Sequence, residues 1–187
     1  MIANGGRRHK QAGFTLTELM VVVAIIALMA MLAVPALTKD RQDARFFKFV
    51  RTFAFDVRRA HMKAISTKDH RQFTVSKDRY GISAATKVPK TSKYTLTTLA
   101  TRLAPSDVVI AGIMPISTMP GTSYPTPSGI GFAQSFRLLS TGGVQMEASS
   151  NYEDKSVTIF FKTSDNAWKA RVVIFQATAH TKLYKSW

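Results

Sequence analysis

One carboxylate in this chain stands apart from the rest. Glu18 opens an apolar run in which every residue from Leu19 to Val34 is Leu, Met, Val, Ala or Ile. An ionisable side chain at the centre of a membrane helix costs about 2.5–3.5 kcal/mol on insertion scales, so a group kept there needs a partner or a task. Nothing else is spaced for chemistry. His9, His61, His70 and His180 are scattered and lack the His-Glu-x-x-His spacing of a metal-binding helix. The absence of cysteine removes thiolate ligands, thiol nucleophiles and disulfides. No Gly-x-Ser-x-Gly elbow and no glycine-rich loop opening a helix is present. The pattern predicts a protein without a catalytic residue, metal site or cofactor.

The element that must carry Glu18 is a helix. With Pro35 as its one interruption before Leu37, the apolar run approaches the ~20 residues that a spanning helix requires. Arg7, Arg8 and Lys10 precede it, and the first thirteen residues contain no acid. By the positive-inside rule the N-terminus stays in the cytoplasm and everything after Leu37 lies outside. A secretory signal would have a shorter apolar region of ~7–15 residues before a small-residue cleavage site, for which "ALMA" and "AMLA" are the candidates. A plain signal anchor leaves both Glu18 and the Gly13-Phe14 junction unexplained. Arg7 and Arg8 alone are too common in basic leaders to indicate twin-arginine export.

The segment "GFTLTEL" behind "RRHKQA" closely resembles the class III signal of type IV prepilins and type II secretion pseudopilins. In that family a basic leader ends in Gly, Phe usually follows, and Glu is fifth after the cut. The resemblance implies cleavage between Gly13 and Phe14 by an inner-membrane prepilin peptidase and methylation of the new amine of Phe14. It also implies an assembly role for Glu18, whose carboxylate neutralises the N-terminal amine of a neighbouring subunit and so sets register. Pro35 stands where such pilins commonly carry a helix-kinking proline, whose missing N–H and ring clash bend or locally melt a helix.

Beyond the apolar run, residues 38 to 66 read as an amphipathic helix. Phe46, Val50, Phe53, Val57, Ala60 and Ala64 recur at intervals of three and four, with Arg and Lys filling the other faces. The phenylalanines at 46, 47, 49, 53 and 55 are too broad for one face, so some are expected in the core and others at a subunit contact. From Arg71 the period falls to two in "RQFTVS", "RYGISA", "KYTLTTL", "DVVIAGIM", "SFRLLS", "GVQMEAS", "SVTIFFKTS" and "WKARVVIFQ", which read as antiparallel strands. Lys93–Asp107 is also compatible with a short helix. The segment from Met114 to Gly131, with four prolines among Gly, Ser and Thr, reads as an irregular loop.

The head resembles the GspH/FimT group of minor pilins and minor pseudopilins, on "DVRRAHMKAISTKDHRQFTVS" and on "GGVQMEAS", "SVTIFFKTSD" and "KARVVIF". The resemblance implies an α+β, pilin-like lollipop, a long N-terminal helix with a membrane half and an amphipathic half packed on an antiparallel β-sheet head. The division is then a leader over 1–13, a transmembrane and assembly half over 14–37, and a periplasmic head over 38–187. The implied protein is a non-catalytic minor pilin that helps initiate or cap a type IV pilus. It is held by a single pass in the bacterial inner membrane and then sits near the tip of the filament. The implied partners are other minor pilins, the major pilin, the prepilin peptidase and the inner-membrane assembly platform. A minor pseudopilin of type II secretion is the nearest alternative.

The net charge of +15 adds a third reading, a DNA-binding minor pilin used in uptake. Its best-placed residues are Lys182, Tyr184, Lys185 and Trp187 in an acid-free tail, where an aromatic could stack on a base between two lysines. DNA-binding members of the group often end in a Gly-Arg-x-Arg turn, and "QATAHTKLYKSW" replaces it here. A solvated basic face and docking against acidic subunits are the competing readings of the same charge.

Overall fold

The computed structural model describes residues 14–89, 94–116, 134–148, 151–153 and 156–185, with residues 32–40, 115–116, 147–148 and 151–153 described by backbone alone. By its contacts the chain divides into two units, Met1–Arg41 and Gln42–Trp187. One helix, α1 (Leu16–Thr67), supplies the described part of the first unit and the opening of the second. Lys68, in the left-handed region at φ 57°, follows its last residue. Glycine usually fills that terminating position, so the sequence gives no warning of it.

Ten strands follow: β1 (His70–Val75), β2 (Arg79–Lys87), β3 (Tyr94–Leu103), β4 (Val108–Ile116), β5 (Gln134–Leu138), β6 (Val144–Ala148), β7 (Asn151–Glu153), β8 (Ser156–Thr163), β9 (Lys169–Ile174) and β10 (Thr181–Tyr184). All pairings are antiparallel. They form a six-stranded sheet, ordered β3-β2-β1-β5-β6-β7, and a four-stranded sheet, ordered β10-β9-β8-β4. A helix followed by antiparallel sheets is the α+β arrangement that the sequence implied, with two sheets where one was expected.

Three details differ from the expectation. The described residues of the Lys93–Asp107 segment hold no helix; β3 runs from Tyr94 to Leu103, where Thr and Leu side chains favour the strand. The loop expected from Met114 begins later, because β4 runs through Pro115 to Ile116. Pro115 is tolerated there because β4 is an edge strand. The strands β7 and β10 were hidden, the latter in "TKLY", too short and polar for a periodicity of two to stand out. The remainder of the expected loop lies outside the described residues.

Within the second unit, the apolar face of α1 and both sheets share one core. Phe46, Val50, Phe53, Val57 and Ala64 are fully buried and Ala60 nearly so, as their spacing implies. Phe53 sits at the centre, with ring centroids 4.9 Å from Tyr80, 5.2 Å from Phe161 and 6.0 Å from Phe73. Sheet residues alternate toward this core, as in Val157, Ile159 and Phe161 of β8 and Ala170, Val172 and Ile174 of β9. The phenylalanine cluster divides as expected: Phe46, Phe49 and Phe53 are buried, Phe47 is half-buried and Phe55 is 62% exposed.

Polar ties fix the helix on the sheets. The Tyr80 hydroxyl donates to Asp56 at 2.8 Å, and Arg102 Nε meets the same carboxylate oxygen at 3.3 Å. Burial, and then the bond to Asp56, push the Tyr80 phenol far above its ordinary pKa. His61 Nε2 lies 3.0 Å from the carbonyl of Gly142, in the β5–β6 turn where φ of 101° requires a residue without Cβ.

Candidate assembly site at the N-terminus of the long helix

Phe14 and Thr15 precede the first turn of α1, and Phe14 is 87% exposed. Thr15 is the N-cap. Its backbone N–H and its hydroxyl both donate to one carboxylate oxygen of Glu18, at 2.9 and 3.0 Å, while the Glu18 N–H donates back to the Thr15 hydroxyl at 3.3 Å. Leu19 N–H closes the first helical bond on the Thr15 carbonyl at 3.2 Å. This reciprocal arrangement is a capping box, which satisfies N–H groups that the first turn of a helix otherwise leaves without partners.

Thr15 is thus a functional residue that the sequence reading passed over, although the signal, Thr-x-x-Glu ahead of an apolar run, was present in "TLTE". Glu18 is held at the helix end by these bonds.

The residues after Glu18 are apolar and uncovered. Leu19, Met20, Val21, Val22 and Val23 keep between 51% and 63% of their surface, and these consecutive positions lie all round the helix. Among the described residues, no helix is long and apolar enough to cross a membrane. The described side chains of the run end at Met31, and residues 32–40 hold the rest. Pro35 lies among them, so its kinking role is outside the described side chains, as Gly13 and Trp187 are outside the described residues.

The other expected site residues fall elsewhere, in the second unit. Arg171 and Lys182 lie 4.6 and 5.2 Å from the ring centroid of Tyr184, and Lys185 lies 5.7 Å from that of Phe47. Arg171 and Lys182 thus lie over the Tyr184 ring of the tail, and Lys185 over the Phe47 ring of α1. His61 and His70 are each bonded to the β5–β6 turn. Among the described residues no three or more of His, Cys, Asp and Glu converge as a metal site would require.

Residues 8–34 match the prokaryotic N-terminal methylation motif. Phe14, Thr15 and Glu18 all lie inside the matched segment. No curated protein matches the sequence. Among solved structures, the chain is similar to the minor pseudopilin EpsH from the Type 2 Secretion System of Vibrio cholerae, with a TM-score of 0.49 and 11% identity. That likeness covers 75% of this chain and 97% of the other; at this distance it transfers neither function nor partners.

Proposed function

We propose that this protein is a minor pilin, a non-catalytic subunit that helps initiate or cap a type IV pilus. The observation that carries the proposal is the methylation motif over residues 8–34, with Glu18 preset at the helix end by Thr15. Prepilin peptidase cuts between Gly13 and Phe14 and methylates the Phe14 amine. The processed helix then leaves the inner membrane through the assembly platform and packs beside other minor pilins and the major pilin. The charge pair between Glu18 and a neighbour's amine replaces the unfavourable exposure of either group to lipid.

Intact-mass analysis of the membrane-extracted full chain tests the processing step. The expected product begins at N-methylated Phe14; an unprocessed chain, or one cut near Ala30 or Ala33, overturns the reading. Glu18→Ala should preserve membrane insertion and lower incorporation into the filament at least severalfold, and equal incorporation beside wild type would remove Glu18 from the mechanism. A deletion that lowers pilus number without lowering secreted protein supports the pilus, and the reverse supports a type II secretion pseudopilus. The DNA reading is less supported, because Tyr184 already lies against two cations of its own chain.

A further inference from the structure

The second unit contains a cleft of about 400 Å³ between the end of α1 and the face of β2 and β3. Arg59, Lys63, Arg71 and Arg102 line it. Its one carboxylate, Asp56, is already engaged by Tyr80 and Arg102. Among the described residues no acidic group pairs with the other three cations. Arg71 is the most informative of them: it is only 9% exposed, its Nη2 donates to the Thr67 hydroxyl at 3.2 Å, and its Nε is buried without a hydrogen-bond partner. A buried guanidinium left short of acceptors is costly unless an acceptor is supplied from outside. Two flexible cations, Arg59 and Lys63, stand at the rim where that acceptor would enter.

The remaining wall is apolar. Ile82 and Leu99 line the cleft, and Leu99 is the extra residue where the β2–β3 register shifts, since Ser83 pairs with Thr98 and Ile82 with Ala100. Leu99 is 55% exposed, and Leu96 and Leu103 of the same strand are 49% and 66% exposed. The strand β3 is also the edge of its sheet, so its outer backbone groups are available to an added extended segment. A free inorganic anion would use the cations and leave both the leucines and the strand edge unused.

We infer that this cleft docks an extended acidic-apolar polypeptide segment of a different subunit, with a Glu or Asp carboxylate received by Arg59, Lys63 and Arg71 and alternate apolar side chains laid against the leucines of β3. The charge of the chain decides against a second copy: with 26 basic and 11 acidic residues, copies of this protein repel one another and have few carboxylates to offer. An acidic partner is attracted to the same surface. That the segment comes from a neighbouring pilin rests on the filament-subunit reading; the peptide chemistry of the cleft does not.

The test uses the full chain in neutral-detergent micelles and a blocked pentapeptide of alternating leucine and glutamate, titrated by calorimetry at low salt. The expected result is saturable binding of one peptide per chain, at least tenfold weaker for the matching leucine–glutamine peptide. Arg59→Gln combined with Lys63→Gln should weaken it at least tenfold, and Arg71→Met should do the same, while Lys77→Gln on the β1–β2 turn leaves it unchanged. If Arg71→Met does not fold, the exposed pair still decides the matter. Equal binding of the two peptides, no effect of the Arg59 and Lys63 changes, or displacement of the peptide by an equal concentration of a short single-stranded oligonucleotide would overturn the proposal. Loss of peptide binding in a chain that is still cut at Gly13 and methylated removes the cleft alone; a chain that binds peptide but is never cut removes the filament reading alone.

Discussion

The two ends of α1 pose the same problem and answer it differently. From Leu19 to Met31 the helix is apolar on all sides, and every side chain is exposed. From Phe46 to Ala64 one apolar face, formed by Phe46, Phe49, Val50, Phe53, Val57, Ala60 and Ala64, is buried at 0–8% exposure within its own unit, while Phe55 and Met62 stay exposed. An apolar stripe of the second kind is covered by the chain that carries it. A helix apolar all round has no polar face to leave in water, and its cover has to come from lipid or from other helices. All thirteen residues from Leu19 to Met31 are apolar, against eleven of the nineteen from Phe46 to Ala64, where charged residues interrupt the run at a period near 3.6.

The sharpest way to break this comparison is to cut one large side chain from each end. Phe53→Ala removes the ring that meets Phe73, Tyr80 and Phe161 and should destabilise the second unit by about 3–5 kcal/mol. Leu28→Ala removes a side chain that is 66% exposed and should shift unfolding of that unit by no more than about 0.5 kcal/mol. Chemical denaturation of both variants in the same detergent measures the difference. A comparable loss from Leu28→Ala would mean that the exposed end has a cover within the chain after all.

A smaller effect sharpens what holds the buried end. Tyr80→Phe keeps the ring in the core and removes the hydroxyl that donates to Asp56 at 2.8 Å. The carboxylate, itself 6% exposed, then keeps only the longer contact with Arg102. The expected cost is about 1–3 kcal/mol, the usual penalty for leaving a buried polar group short of a partner. Urea unfolding with a lower midpoint and an unchanged slope is the expected signature. Arg102→Gln should cost less, because that guanidinium is about half exposed and its charge is screened.

These contrasts also show what could be read from the sequence. The face from Phe46 to Ala64 was legible because burial on one side of a helix imposes its own period, and the Gly13, Phe14 and Glu18 motif was legible because leader, junction, acid and apolar run occur together. Most strands were legible for the same reason of period. Their division into a six-stranded and a four-stranded sheet was not, because β1 pairs with β5 from far along the chain, Val75 with Gln134 and Arg71 with Leu138, and alternation records which face is buried but not which strand lies alongside. The cleft at Arg71 was invisible for a related reason: Arg59, Lys63, Arg71 and Arg102 are ordinary members of a basic sequence until α1, β1 and β3 bring them to one place. Thr15 carries a local signal as well, because Thr-x-x-Glu ahead of an apolar run gives Glu18 a partner within its own chain.

The smallest expected effect tests whether the turn between β5 and β6 is fixed by a proton-sensitive bond. His70 opens β1 half-buried, its Nδ1 accepts the Ser140 backbone N–H at 3.0 Å, and its ring lies 5.4 Å from that of Tyr94. An Nδ1 that accepts must be unprotonated, so the folded state favours the neutral ring. Burial pushes the His70 pKa below its ordinary 6.5, Arg137 and Lys87 push the same way, and Asp69 opposes them. Between the lowered folded value and 6.5 the unfolded chain binds the proton that the folded chain refuses, so stability rises with pH across that window. The contribution is fully present above 6.5 and is lost as pH falls toward the folded value. His70→Gln keeps an acceptor for the Ser140 N–H but does not titrate. Urea midpoints measured for wild type and His70→Gln at pH 7.5 and 5.5 isolate the term, because the carboxylates contribute equally to both chains. Wild type should lose more of its midpoint on acidification than the variant; parallel losses would show that the His70 bond is no tighter in the folded chain than its replacement by water.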